Sequence, residues 1–134
     1  MAVKIAHAVS TEFHTKKGGK LGDQGHEVTY GVWYAKNDNG AAWTYRIRPI
    51  NAVMADKAAS MAETIVDNQG IGYGQEGALR NTIYTEAMAN GGSFSGVQAT
   101  CDCSSMILAI FAVLIPGFPH IGSTANMIDY FTIS

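Results

Sequence analysis

Alternating apolar and polar positions predict a β-hairpin in the first part of the chain. Segment 27–34 carries its large apolar side chains at every second position, namely Val28, Tyr30, Val32 and Tyr34. After the turn-forming run 37–40, segment 43–48 repeats this pattern with Trp43, Tyr45 and Ile47. Because β-branched and aromatic side chains at a period of two are typical of strands, the two segments are predicted to pair with each other. The polar, glycine-rich residues before them predict a loop.

Helical spacing of apolar residues follows in two segments of the middle region. The first predicted helix begins after Asn51 and ends before Gly70, with apolar positions Met54, Ala58, Met61 and Ile65. The second predicted helix carries Leu79, Ile83 and Ala87 at intervals of four and ends at Gly91. Glycine commonly follows a helix, so the predicted ends agree with the spacing. The glycine-rich run 70–74 between the two helices is predicted to be a linking turn.

Two further helices are predicted in the last third of the chain. The apolar run 106–115 follows the N-cap residue Asp102 and is ended by Pro116. Ser123 or Thr124 can cap a last short helix bearing Met127, Ile128 and Phe131. We therefore expect an α+β fold, a single domain over 1–134 with one β-hairpin and about four helices.

Composition and charge exclude several classes of partner. The 134 residues are 47% hydrophobic and 15% charged with a formal net charge of −2, so no basic footprint for nucleic acid is present. The apolar run 106–115 has about half the length that a membrane helix requires, and the first residues lack a signal-peptide pattern. We expect a protein made in the cytoplasm, with no nucleic-acid partner and no membrane insertion. The four histidines, His7, His14, His26 and His120, show no ligand spacing, so neither a metal site nor a cofactor is predicted.

Cys103 is the candidate nucleophile. Behind the N-cap Asp102, it should occupy the first turn of the third helix, where unpaired N–H groups and the helix dipole favour a thiolate. An oxyanion formed by amide attack would lie near the Cys103 N–H, which is the chemistry of acyl transfer. The alternative is that Cys103 is a small buried residue. Cys101 precedes the cap and is interpreted as structural, and a disulfide between the two would be strained, so free thiols are expected.

A general base for this thiol is not obvious in the sequence. His120 leaves the opposite end of the cysteine helix, so direct contact with Cys103 is not expected. His26 could reach the site if the hairpin packs beside the cysteine helix, or it could be a solvated loop residue. Arg46 and Arg48 share a strand face that could hold an anionic ligand or could simply face solvent.

Two groups of residues resemble a known family. Asp102-Cys103-Ser104-Ser105 before an apolar helix is similar to the nucleophile motif of the NlpC/P60-type cysteine peptidases, the papain-like group that includes CHAP amidases. The stretch from Gly18 to Val28, and a set of later residues, resemble the N-terminal part of phage endolysins of this type. The later residues are Trp33-Tyr34, Trp43, Arg46-Ile47-Arg48-Pro49, Ile71-Gly72-Tyr73 and Arg80-Asn81-Thr82-Ile83-Tyr84.

The resemblance implies a peptidoglycan hydrolase that stays in the host cytoplasm until lysis and then cuts an amide or peptide bond of the cell wall. Cys103 would be the nucleophile, and Asp102 and Ser104 would orient the nucleophile or the substrate. No residue matches the family's catalytic histidine, and the C-terminal sheet of the papain-like fold has no counterpart here. The base would then come from His26, from a second chain or from a missing C-terminal segment.

A second hypothesis remains open. The chain could be a non-catalytic wall-binding or structural module that keeps the hydrolase scaffold. Trp33, Trp43 and the tyrosines of the predicted hairpin would then contact glycan or a partner.

Overall fold

The computed structural model describes residues 4–8, 28–32 and 47–132, and these form an α+β fold with four helices, as the sequence predicts. The strands are β1 (Lys4–Ala8), β2 (Val28–Val32), β3 (Ile71–Tyr73) and β4 (Ala99–Cys101). The helices are α1 (Ala52–Asp67), α2 (Thr82–Ala89), α3 (Cys103–Leu114) and α4 (Thr124–Thr132). A single 3₁₀ turn, Leu79–Asn81, leads into α2.

The antiparallel pair that the structure describes consists of β1 and β2, and β1 was not predicted. The predicted pairing of 27–34 with 43–48 stays a prediction, because most of the second segment lies outside the described residues. Ala6 lies opposite Tyr30 and Ala8 opposite Val28. Ala8 and Val28 are buried in the core, and Ala6 and Tyr30 pack against it. Residues 33–46 lie outside the described residues, and Ile47 and Arg48 are in no strand. Short alanines in β1 give little periodic signal, which is why the sequence pattern does not predict this strand.

A second, parallel pair of strands was not predicted. Ile71 lies opposite Ala99 and Tyr73 opposite Cys101. The predicted turn over 70–74 is therefore wrong at residues 71–73, which form β3. All residues of both strands are buried, and three residues are too few to show a period of two.

The four helices begin and end close to their predicted boundaries. The Asn51 side chain accepts hydrogen bonds from the N–H groups of Val53 and Met54, at 2.8 and 3.3 Å, and so caps α1. Ser123 precedes α4, where its Oγ accepts from Ala125 N at 3.3 Å. Gly91 follows α2 with φ 70°, a conformation that glycine adopts without strain.

Helix α3 lies at the centre of the core. Met106, Leu108, Ala109 and Ile110 are buried, and the helix packs against α1, α2, β1 and α4. In the part of the chain that the structure describes, these elements cover the apolar helix. Among the described residues, no helix has the length and apolar character needed to cross a membrane.

Candidate active site

The candidate site forms where β4 passes into α3. The Asp102 side chain accepts a hydrogen bond from the Ser105 N–H at 2.8 Å, and Ser105 Oγ accepts from the Asp102 N–H at 2.8 Å. This reciprocal capping box confirms Asp102 as the N-cap of α3. Cys103 consequently occupies the first turn and is exposed, whereas Cys101 is buried in the core, and both are outside any disulfide.

The electrostatic environment of Cys103 differs from the sequence expectation. Partial burial and the neighbouring Asp102 carboxylate raise the pKa of the thiol above its usual value. The backbone N–H groups of Ser104 and Cys103, and the Arg80 guanidinium, act in the opposite direction but do not prevail. The predicted lowering of the pKa by the helix N-terminus is therefore wrong for the described environment, because desolvation and a carboxylate outweigh the backbone dipoles.

Arg80 is the main charged partner at this site. Its Nε lies 3.1 Å from Asp102 Oδ2 in an ion pair, and its Nη2 donates to Asp102 Oδ1 at 3.3 Å. The same nitrogen donates to Ser104 Oγ at 2.8 Å and to the carbonyl oxygen of Gly122. The Arg80 side chain is 19% exposed and that of Asp102 is 9% exposed, so the pair is largely shielded from water.

Asp102 and Ser104, predicted to orient the nucleophile or the substrate, use their polar atoms within this cluster. Ser104 Oγ donates to Asp102 Oδ1 at 3.0 Å while accepting from Arg80. Both residues are buried. Their visible function is to hold the first turn of α3 in place, and a direct contact with substrate stays a prediction.

The segment after β3 lies at the same edge as Cys103. Because β3 and β4 are parallel, their carboxyl ends meet, and Gly74 N–H donates to the Cys101 carbonyl at 2.9 Å. Next to it, Gln75 Nε2 donates to Tyr73 Oη at 2.6 Å. The carboxyl edge of parallel strands is a common place for a binding crevice. Gln75 is exposed there.

The segment 115–123, which leaves the far end of α3, returns toward the first turn of that helix. Gly122 accepts from Arg80 at the N-terminal end. Two residues earlier, the imidazole of His120 stacks on the Tyr84 ring, with 3.9 Å between ring centroids and 16° between planes. This return is not predicted from the sequence, because the prediction for His120 used only its distance along the chain from Cys103.

None of the other three histidines is placed beside Cys103 by the described part of the structure. His26, the predicted base, and His14 lie outside the described residues. His7 lies in β1, half-buried, and desolvation lowers its pKa. A search of the described part of the chain finds no group of histidine, cysteine and acidic residues that could hold a metal ion.

An apolar cavity of about 580 Å³ opens along the face of α3 that continues from Cys103. Ile107 and Phe111, four and eight residues after Cys103, line it together with Met54 of α1 and Phe131 of α4. Arg48 also lines this cavity. Arg46 and Arg48 were considered as a face for an anionic ligand or as a solvent-facing strand. Arg48 lies beside this apolar space, and Arg46 lies outside the described residues.

The structure defines an α+β domain with a cysteine at the first turn of a buried helix, at the carboxyl edge of a parallel strand pair. The profile of the endolysin-like domain family matches residues 5–126, and the chain belongs to this family. Membership points to a role in the lysis of bacterial cell walls by phages. No curated protein and no solved structure matches the chain with significance.

The sequence analysis did not predict the contacts of Arg80. Arg80 is separated from Asp102 by 22 positions and from Gly122 by 42. Periodicity and capping patterns cover only a few positions, so they carry no information about such pairs. The signal that could have found it is the isolated arginine in the turn before α2, which needs an anionic partner if it is buried.

Proposed function

We propose that the chain is a peptidoglycan hydrolase in which Cys103 attacks an amide or peptide bond of the bacterial cell wall. Membership of the endolysin-like domain family supports the wall as the substrate. The observation that carries the proposal is the exposed Cys103 thiol in the first turn of α3, behind the Asp102 cap. The NlpC/P60 or CHAP type of mechanism rests on the motif of residues 102–105.

In the proposed reaction the Cys103 thiolate attacks the carbonyl carbon, and an S–C bond forms. The C–N bond then breaks, and the leaving amine takes a proton from an imidazolium. Water attacks the resulting thioester, releasing the carboxylic acid and restoring the thiol. The backbone N–H groups at the start of α3 are suited to stabilise the oxyanion.

We propose His26 as the base, with a second chain or a further segment of the protein as the alternative source. The raised pKa of Cys103 in the described environment makes a base necessary, since the thiol is neutral at pH 7 without one. An imidazolium beside the sulfur would counter the Asp102 charge and lower the pKa of the thiol.

The test is digestion of purified peptidoglycan from several Gram-positive bacteria, with released fragments identified by mass spectrometry. The intact protein is expected to release fragments, and Cys103→Ser should abolish release because a hydroxyl is a far weaker nucleophile. Cys101→Ala, which leaves Cys103 intact, is the matched control and should retain release. His26→Asn should lower the rate by about 10²–10⁴-fold, whereas His120→Asn should not if His26 is the base.

The competing function is a non-catalytic wall-binding module. The raised pKa of Cys103 favours it, as does the use of Asp102 and Ser104 in internal contacts. Under this hypothesis the wild-type protein and the Cys103→Ser variant sediment equally well with peptidoglycan, and neither releases fragments. In either case we propose that peptidoglycan is the partner and that the protein stays in the host cytoplasm until lysis.

A further inference from the structure

The Arg80 guanidinium joins three separate segments at the candidate active site. It lies in the 3₁₀ turn before α2, binds Asp102 and Ser104 at the start of α3, and donates to the Gly122 carbonyl in the segment before α4. These contacts fix the turn that carries Cys103 on two sides. An arginine is suited to such a position because its planar fork offers several donors at once.

The charge of Arg80 also acts on the Cys103 thiol. The Asp102 carboxylate is adjacent to Cys103 in sequence and is largely shielded from water, so its negative charge opposes formation of a thiolate. Arg80 contacts both carboxylate oxygens and thereby offsets this charge. Without Arg80, the thiol would face an uncompensated anion across a short distance.

We propose that Arg80 is a positioning residue for the reaction at Cys103: it neutralises Asp102 and holds the first turn of α3 against the segment at Gly122, so that the thiolate can form. The importance of Arg80 for catalysis rests on the proposed function, but the effect of Arg80 on ionisation of the Cys103 thiol does not. Asp102 would then be needed as a helix cap, and Arg80 makes that cap compatible with a reactive cysteine.

The test is the rate of Cys103 alkylation by iodoacetamide as a function of pH, measured on the folded protein, with Cys103→Ala as the background. Arg80→Gln removes the charge and is expected to raise the midpoint by about one pH unit or more. Alkylation at a fixed pH below the midpoint should then be about tenfold slower or more. Arg80→Lys keeps the charge but not the fork, and should retain most of the wild-type midpoint.

A purely structural role predicts a different result. If Arg80→Gln is folded by circular dichroism and its alkylation profile coincides with that of the wild type, the proposal is wrong. A midpoint in Arg80→Lys as high as in Arg80→Gln would equally contradict it, because charge would then not be the cause.

A second pair of variants decides the question if Arg80→Gln does not fold. Asp102→Asn keeps a capping side chain and removes the anion, so the midpoint should fall below that of the wild type. In Asp102→Asn the positive charge of Arg80 still acts on the thiol and no carboxylate offsets it. Adding Arg80→Gln removes this charge and should raise the midpoint again. Equal midpoints in Asp102→Asn and the double variant would overturn the proposal.

This assay uses no cell wall and no added base. A wild-type protein that releases no wall fragments would contradict the proposed function and leave the Arg80 effect measurable. Coincident alkylation profiles in a protein that does cut the wall would contradict the Arg80 role alone.

Discussion

Replacing Asp102 by alanine should destabilise the domain more than any other single change at the candidate active site. The substitution removes the N-cap of α3 and leaves the Arg80 guanidinium without its carboxylate partner. It also removes the acceptor of the Ser104 hydroxyl at 3.0 Å. Since α3 forms the centre of the core, the loss affects the whole folded state.

The magnitude follows from these contacts. Loss of an N-cap costs about 1 kcal/mol, and removal of one partner from a buried ion pair costs about 3–5 kcal/mol. Arg80 is 19% exposed and keeps its bonds to Ser104 and Gly122, so about 2–3 kcal/mol is expected for the pair. The sum is about 3–4 kcal/mol. With an unfolding entropy of ~0.28 kcal/mol/K for a chain of this length, the Tm should fall by about 10–15 °C.

The assay is urea and thermal unfolding followed by circular dichroism, with Asp102→Asn as the matched variant. Asparagine retains a capping oxygen but not the charge, so it should cost about 1 kcal/mol less than alanine. A loss of unfolding free energy below about 1 kcal/mol for Asp102→Ala would contradict this expected value, since the ion pair would then contribute nothing to stability. Equal losses for the two variants would show that the capping box has no energetic role.

Three further predictions concern other parts of the described structure. Leu108→Ala should lower the free energy of unfolding in urea by about 2–5 kcal/mol, because this side chain is fully buried in α3. The control Val53→Ala, at a side chain that is 63% exposed, should stay within about 0.5 kcal/mol of the wild type. Equal losses in the two variants would contradict the packing of Leu108 in the core. Gly70→Ala should lower the Tm because the added Cβ would lie 2.8 Å from the Val97 carbonyl oxygen, while Gly77→Ala, which meets nothing within 4 Å, is the control and should leave the Tm nearly unchanged. The lowered pKa of His7 means that the unfolded state binds a proton first, so stability is unaffected well above pH 6.5 and falls as the pH drops below it. His7→Gln should therefore reduce the loss of Tm between pH 7.5 and pH 5. An unchanged pH dependence of Tm would show that His7 is not the cause of this loss.

Local patterns along the chain are enough to predict the four helices and most of their ends, although Leu79 lies in the 3₁₀ turn before α2. Asp102 was predicted as a cap, and Ser123 was one of two candidates, because a cap hydrogen bond links residues two or three positions apart. The position of Cys103 in the first turn of α3 followed from the same local rule. The burial of α3 was equally readable, because its apolar residues extend around the whole helix.

Which segments of the chain meet depends on long-range packing. The pairing of β1 with β2, the parallel pair β3 and β4, and the contacts of Arg80 with Asp102 and Gly122 all join residues far apart in the chain. The pKa of Cys103 belongs to the same class, because the desolvation and the opposing effect of Arg80 depend on chain segments that pack beside α3. A local sequence pattern indicates the secondary structure that a residue favours. Many pairings of segments are compatible with the same pattern, but only one of them buries the core, so the contacts between distant segments depend on long-range packing.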